Sequence, residues 1–303
     1  MKAKDWGAFL LLSVVWGSSF LWIKVALDEI GPVTLVAFRL LFGVLGLLIV
    51  LAVRRPPLPA DRATWLKLAL LGLTNTAIPF VLISWGEQFI DSGVTSILNA
   101  SVPLFALVMA HFWLADERIT WMRAAGLLIG FAGIVVLVSR DLSVESLGQN
   151  LPGQIAVLVA AAFYAFSSVF TRRALGDVSP IVQAFVPLVV ADLATWALVP
   201  ALELPWRGPA LPITWLALAW LGLLGSCAAY LLYFSLIRSI GATRTTMVTY
   251  VIPVTGVALG VIFLGEPFDW LLLAATALIV TGIGIVNSRR AQRARPEEIT
   301  VLK

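Results

Sequence analysis

The sequence is dominated by apolar runs of about 20 residues, separated by short segments that carry charge, proline or glycine. A helix rises 1.5 Å per residue, so about 20 residues cross a hydrocarbon core about 30 Å thick. Transmembrane strands would be about 10 residues long with alternating polarity, whereas these runs are continuously apolar. The chain of 303 residues is 60% hydrophobic and 13% charged, which excludes a single soluble globule. We therefore predict an all-α integral membrane protein.

Ten spans are predicted, in two sets of five. The first set lies near Trp6–Leu27, Val33–Val53, Trp65–Trp85, Ser92–Leu114 and Trp121–Val138, and the second near Gly153–Thr171, Ile181–Leu202, Ile213–Leu236, Ala242–Leu264 and Trp270–Asn287. The first span is too long for the core of a signal peptide, and no small-residue cleavage site follows it. We expect it to remain as an uncleaved anchor.

The distribution of Lys and Arg predicts the orientation, because basic residues accumulate in cytoplasmic loops. Seventeen of them fall at the two termini and in alternate loops, while Lys24, Arg140 and Arg207 fall on the opposite side. Both termini are therefore predicted to be cytoplasmic. The formal charge of +4 does not indicate nucleic acid binding, since the basic residues are scattered around the spans. Residues 289–303 form a basic tail that we expect to lie against anionic headgroups.

An internal repeat divides the chain into two five-helix units, residues 1–140 and 141–288. At an offset of 150 residues, Trp65 matches Trp215 and Pro103 matches Pro253. Because five is odd, the second unit enters the membrane from the opposite side, which predicts inverted-topology repeats. That arrangement is typical of carriers that open a central site to alternate sides of a membrane.

Candidate binding residues follow from polar and aromatic groups inside spans. Pro103 and Pro253 each lie 11 residues into a predicted span, near the midplane, and free the backbone carbonyls of Asn99 and Thr249. We predict that these two polar patches converge between the repeats. The remaining candidates for the wall of a pocket are Trp16, Ser19, Asn75, Pro79, Tyr164, Tyr230 and Tyr250.

Two charges fall inside predicted spans, Arg39 and Asp192. An unpaired charge there is costly, so we expect them to form an ion pair or to share a hydrated cavity. Alternatively, Asp192 carries a proton that couples transport. The single histidine and the single cysteine cannot supply a metal site or a disulfide. No cofactor and no enzymatic activity are predicted, because hydrolase, protease and Walker motifs are missing from the sequence.

Small-residue strings begin at Gly126 and Gly256. Such strings bring transmembrane helices into close contact. We expect contacts within one subunit; a homodimer face is the alternative, although a monomer is sufficient for a carrier.

Several motifs carry a family resemblance: W-G-S-S-F at Trp16, F-R at Phe38, T-S-I-L-N-A-S-V-P at Thr95 followed by D-E-R, and T-T-M-V-T-Y-V-I-P at Thr245 followed by G-E-P. The chain resembles the drug/metabolite transporter (DMT) superfamily, with two tandem EamA domains, and is similar to YddG-type amino acid exporters. The resemblance implies a multi-pass protein of a cell inner membrane. It also implies export of amino acids or related metabolites, with the third, fourth, eighth and ninth helices near the pathway.

Charge distinguishes the substrates of related branches. Phosphorylated substrates require a cluster of Lys or Arg in the cavity, and Arg39 alone lies well inside a span. A membrane-embedded glutamate, typical of cationic-drug antiporters of this superfamily, is missing from mid-span positions. A neutral or zwitterionic substrate is therefore favoured. Nucleosides, sugars and organic cations stay open as alternatives, as does a channel.

Overall fold

The computed structural model describes residues 3–114, 119–139, 150–240, 245 and 247–288, and within these ranges every regular element is helical. The α-helices are α1 (Ala3–Gly17), α2 (Ser19–Leu27), α3 (Pro32–Arg54), α4 (Arg62–Gly72), α5 (Ile78–Gly86), α6 (Ser92–Asn99), α7 (Val102–Trp113), α8 (Trp121–Ser139), α9 (Asn150–Ala174), α10 (Pro180–Leu202), α11 (Pro212–Ala219), α12 (Ala229–Ile240), α13 (Val248–Leu264) and α14 (Trp270–Val286). Two π-helical segments, Leu73–Ala77 and Trp220–Ala228, join α4 to α5 and α11 to α12.

Eight helical stretches are long and apolar enough to cross a membrane, and they coincide with the first eight predicted spans. The shorter apolar helices α13 and α14 lie where the ninth and tenth spans are predicted. The all-helical class and the membrane character are thus confirmed for the described residues. The predicted start of the ninth span at Ala242 and the basic tail 289–303 lie outside them.

Several stretches are interrupted near their middle. α6 ends at Asn99 and α7 begins at Val102, with Pro103 in its first turn, as expected for a residue that lacks an N–H and clashes with the preceding turn. The symmetric interruption expected at Pro253 is not seen, because α13 continues through this residue. The first stretch is also interrupted, between Gly17 and Ser19.

The two π segments occupy matching positions of the internal repeat, since residues 73–77 correspond to 223–227 at the offset of 150. A π segment inserts an extra residue into a helical turn, and such insertions are concentrated at functional sites. The hydrophobic pattern of the sequence does not predict them, because it does not distinguish an α-helical turn from a π-helical turn.

Helices from the two predicted units interleave. α3 packs against α10, α5 against α9, α6 against α13, and α8 against α14. One apolar cluster is centred on Leu35, Leu40 and Leu218. A second is centred on Ile97, Leu104 and Ile279. Residues from both units contribute to each cluster.

Three carboxylates close one end of the bundle, which we call the capped end, by binding the N-termini of other helices. The Glu203 carboxylate accepts hydrogen bonds from the amides of Val33 (2.6 Å) and Thr34 (2.9 Å) at the start of α3. Negative charge at a helix N-terminus satisfies unpaired N–H groups and complements the helix dipole.

Glu266 and Glu29 act in the same way on other helices of the capped end. Glu266 accepts from the amides of Ser92 (2.7 Å) and Gly93 (2.9 Å) at the start of α6. Glu29 accepts from the amides of Ala210 (2.7 Å) and Leu211 (3.0 Å), just before α11. Each carboxylate belongs to one predicted unit and caps a helix of the other.

The small-residue string at Gly126 brings α8 against α14. A Cβ atom placed on Gly282 would lie 2.5 Å from the backbone nitrogen of Gly130 and 2.6 Å from the backbone oxygen of Gly126. The string at Gly256 is likewise occupied within the chain, since Ser96 packs against Gly256. Contacts within one subunit therefore account for both strings, as expected.

Substitution Gly282→Ala should destabilise the protein, because the added methyl group would overlap with backbone atoms of α8. Overpacking of this kind costs about 1–3 kcal/mol. The matched control is Gly284→Ala on the same helix, where no heavy atom lies within 4 Å of the added Cβ. The thermal unfolding midpoint in detergent should fall for Gly282→Ala and stay unchanged for Gly284→Ala. Equal midpoints for the two variants would contradict this helix contact.

Candidate functional site

A cavity of about 360 Å³ lies between the two predicted units. Its described walls come from α1, α2, α3, the first π segment, α5, the α6–α7 stretch, α9, the second π segment, α12 and α13. The lining residues are Trp16, Ser19, Phe20, Ile23, Arg39, Asn75, Phe80, Ile83, Asn99, Ala100, Val102, Pro103, Tyr164, Gly225, Tyr230, Tyr233, Thr249 and Ile252.

The structure brings together eight of the eleven residues that the sequence analysis names as substrate-binding candidates. These are Trp16, Ser19, Asn75, Asn99, Pro103, Tyr164, Tyr230 and Thr249. Asn99 and Thr249 thus reach one cavity, as the repeat predicts. Their role in binding a substrate stays a prediction.

Pro79, Tyr250 and Pro253 are not among the lining residues. The Tyr250 hydroxyl donates to the carbonyl of Ile283 (3.1 Å) and accepts from the Nδ2 of Asn287 (2.8 Å), so it ties α13 to α14. Thr249 lines the cavity, whereas the hydroxyl of the next residue, Tyr250, is turned toward α14. Pro79 and Pro253 are buried inside their helices.

Both π segments contribute to the wall. Asn75 comes from the first and Gly225 from the second. The Trp16 indole donates to the carbonyl of Gly225 (3.2 Å), and the Trp220 indole donates to the Ser18 hydroxyl (3.0 Å). These bonds attach the interrupted first stretch to the second π segment. The indole of Trp16 is thereby held against the cavity.

Arg39 is the single charged side chain among the described residues that line the cavity. Its Nε donates to the Ser226 hydroxyl (3.3 Å), and its guanidinium carbon lies 4.0 Å from the centroid of the Phe80 ring. The side chain is 7% exposed. A cation that is held by a hydroxyl and an aromatic face, rather than by a carboxylate, keeps its attraction for an anionic group in the cavity.

Asp192 is 7% exposed and does not line the cavity. It lies on α10, and its Oδ1 has no hydrogen-bond partner among the described residues. Arg39 turns to Ser226 and Phe80 instead, so the expected ion pair between Arg39 and Asp192 is not formed in the described part of the chain. The expected shared cavity is not formed either.

Two asparagines supply the amide groups of the cavity. Asn75 forms a side-chain hydrogen bond with Tyr230, which links the first π segment to α12. Oδ1 of Asn99 lies beside the interruption of the α6–α7 stretch and has no hydrogen-bond partner among the described residues. An unpaired acceptor at a cavity wall is a ready partner for a ligand donor.

Several apolar and aromatic wall residues were not predicted from the sequence, notably Phe20, Phe80, Ile83 and Tyr233. Helical spacing would have identified part of this set, because Tyr233 follows the predicted Tyr230 by three residues and so shares its face. Phe80 and Ile83 are spaced in the same way. Within the described ranges, no three His, Cys, Asp or Glu side chains form a group that could hold a metal ion.

The chain is similar in sequence to a family of transporters and to several of its members. The EamA-like transporter family matches residues 6–139 and again residues 151–288. The chain is 30% identical to the "Uncharacterized inner membrane transporter YedA" of Escherichia coli, over 93% of this chain and 90% of that protein. It is also 30% identical to the "Probable terminal-alkyne amino-acid exporter" of Streptantibioticus cattleyicolor, over 95% of each chain.

A protein of known crystal structure superposes with a TM-score of 0.67 at 20% sequence identity, covering 94% of this chain and 98% of the other. This likeness shows a shared fold. The two family matches span most of the sequence, and the relatives named above are transporters. The chain therefore belongs to the EamA-like transporter family, within the DMT superfamily of membrane transporters.

Proposed function

We propose that the protein is a secondary transporter that moves neutral or aromatic amino acids out across the inner membrane by alternating access. The observation that carries this proposal is the composition of the cavity: one unneutralised cation, one free amide acceptor and an aromatic wall. A zwitterionic amino acid presents a carboxylate, an ammonium group and a side chain, and each has a counterpart here.

Arg39 is the proposed partner of the substrate carboxylate, because a guanidinium matches carboxylate geometry with two parallel hydrogen bonds. Oδ1 of Asn99 is the proposed acceptor for the ammonium group. Trp16, Tyr164 and Tyr230 would surround an apolar or aromatic side chain, as in other mainly apolar pockets with few polar groups. The name of the Streptantibioticus relative, an amino-acid exporter, supports the same substrate class.

The charge of the cavity argues against two of the alternatives. A single cation repels an organic cation, and it falls short of the cluster that a phosphorylated substrate requires. Nucleosides and sugars carry no such conflict and are included in the test below. A channel is disfavoured, because a cavity closed at the capped end and accessible from the opposite end fits a carrier that exposes its site to one side at a time.

The conformation supports access from the end opposite the capped end. Ile23 and Ile83, the lining residues nearest the capped end, are 2% and 5% exposed. Tyr233 and Thr249, toward the other end, are partly exposed. Under the proposed orientation, with both termini cytoplasmic, this is an inward-facing state.

Counterflow in liposomes tests the transport proposal. Purified protein is reconstituted into vesicles preloaded with one unlabelled compound, and tracer entry is followed. Transient, saturable accumulation of an aromatic or neutral amino acid is the expected result. Accumulation of nucleosides, sugars or organic cations alone would reassign the substrate. Non-saturating flux without counterflow would indicate a channel instead.

Substitution Arg39→Gln should raise KM for amino acid exchange by tenfold or more, because a hydrogen bond to a charged group contributes about 1.5–3 kcal/mol. Arg207→Gln is the matched control, since Arg207 lies exposed in the segment between α10 and α11. Its KM should equal that of the unmodified protein. An unchanged KM for well-folded Arg39→Gln protein would exclude Arg39 as the carboxylate site.

A pair of Tyr→Phe substitutions separates cavity residues from structural ones. Tyr230→Phe removes a cavity hydroxyl together with its hydrogen bond to Asn75, and should alter KM or substrate preference. Tyr250→Phe removes the tie between α13 and α14 and should lower the midpoint with KM retained. Kinetics and thermal unfolding are measured for both variants. An unchanged KM and substrate preference for Tyr230→Phe, or an altered KM for Tyr250→Phe, would contradict the proposed cavity.

Labelling of single cysteines tests the orientation. Ala60 and Arg207 are exposed in connecting segments at opposite ends of the bundle. In a Cys227→Ala background, Arg207→Cys should react with a membrane-impermeant maleimide in intact cells. Ala60→Cys should react only after the membrane has been permeabilised. The opposite pattern would invert the proposed topology, and the cavity would then face outward.

A further inference from the structure

Glu87 is a buried carboxylic acid that the transport proposal above does not use. It follows the last residue of α5 at the capped end and is 0% exposed. Neither carboxyl oxygen has a hydrogen-bond partner among the described residues. The hydroxyl oxygens of Ser84, one turn earlier, and Ser92, at the start of α6, are also buried without partners there. No described donor therefore forms a hydrogen bond with either oxygen of this carboxyl.

Three charged side chains from other elements are close enough to Glu87 to interact with its charge. Lys24 lies on α2, Arg39 on α3, and Glu266 follows α13. On α9, the backbone of Gly153 and the side chain of Val157 pack against Gly86, the residue before Glu87. The attraction of the two cations is thus opposed by the like charge of Glu266 and by burial.

The hydrogen bonds of Lys24 show how the protein treats this carboxyl. The ammonium group donates to the backbone carbonyls of Glu87 and Ile90, the latter at 2.9 Å. It thereby satisfies the C-terminal end of α5 and its following turn. An ionised Glu87 carboxylate at the same residue would be a stronger acceptor than its own carbonyl. Lys24 nevertheless binds the carbonyl, which fits a neutral carboxyl group.

Burying an ionised carboxylate without donors is far more costly than burying its neutral acid. The capped end can therefore close over Glu87 at low cost when the carboxyl is protonated. Separation of α2, α5 and the Glu266 segment would expose Glu87 to water, where the ionised form is favoured. Closure and proton occupancy are then linked.

We propose that Glu87 is a proton-binding site that is occupied when the capped end is closed and vacated when this end opens. The proposal rests on the alternating-access transport proposed above. Its sign follows from linkage: the closed state binds the additional proton, so acid favours closure and a rising pH favours opening. For one proton, the ratio of closed to open molecules changes by at most about tenfold per pH unit.

Distances across the capped end test this without any substrate, so the result is independent of what the protein transports. Spin labels are attached at Gln88→Cys and Arg207→Cys, two exposed positions of this end. The background is full-length Cys227→Ala protein in lipid nanodiscs, and distance distributions are measured by pulsed electron resonance across a pH series. The distribution should shift to longer distances as the pH rises, and Glu87→Gln should abolish that shift by keeping the closed population.

Asp192→Asn is the matched control, because Asp192 is the other buried carboxyl among the described residues. It should retain the pH response. The proposal is overturned if the distances in the unmodified Glu87 protein do not change with pH, or if Glu87→Gln still responds. If Glu87→Gln cannot be purified, Asp192→Asn and Glu266→Gln decide the matter. Survival of the response in both supports Glu87, whereas its loss in either assigns the proton to another carboxyl.

Discussion

The structure depends on one constraint, which is that each backbone N–H and C=O within a bilayer must find a partner inside the protein. Regular helices meet this constraint along most of the described chain. The exceptions occur where helices end or are interrupted, and there a side chain from another helix supplies the partner. The Glu203 carboxylate at the start of α3, Lys24 at the end of α5 and the Trp16 indole at the Gly225 carbonyl are three instances.

The same constraint explains where the cavity lies. Interrupted helices leave backbone groups that solvent or a ligand can reach, and the described interruptions gather around one space. Arg39 is placed in that space without a carboxylate, so its charge is available to a substrate. If Glu87 is neutral in this state, it does not compete with a substrate for that charge.

Much of this arrangement could be predicted from the sequence, because apolar length and repeat symmetry are strong signals. They located the first eight spans, and polar residues at midspan positions identified Asn75, Asn99 and Tyr230 as wall residues. The symmetry of the repeat gave a wrong prediction at Pro253, because the two copies of the repeat pack differently. The helix is interrupted next to Pro103 but continues through Pro253. The direction of the Tyr250 side chain could not be predicted, because it depends on the rotation of α13 about its own axis. The apolar faces of this helix do not define that rotation.

The role of charged residues near span ends was also beyond the sequence. The sequence pattern does not single out Glu87, because its burial depends on how α5 packs against helices distant in the chain. Asp192, placed nearer the middle of its span, attracted the functional interpretation instead. Distance from the end of a span was therefore a poor guide to burial in this protein.

The exchange of caps between the two halves has a consequence for synthesis of the chain. Glu203 and Glu266, which cap α3 and α6, are made only after every described helix of the first half. Until the second half is made, these two helix N-termini lack their side-chain partners and depend on headgroups and water for hydrogen bonds. Glu29 then returns the contact by capping the segment before α11. Neither half, synthesised alone, would possess a complete set of helix ends.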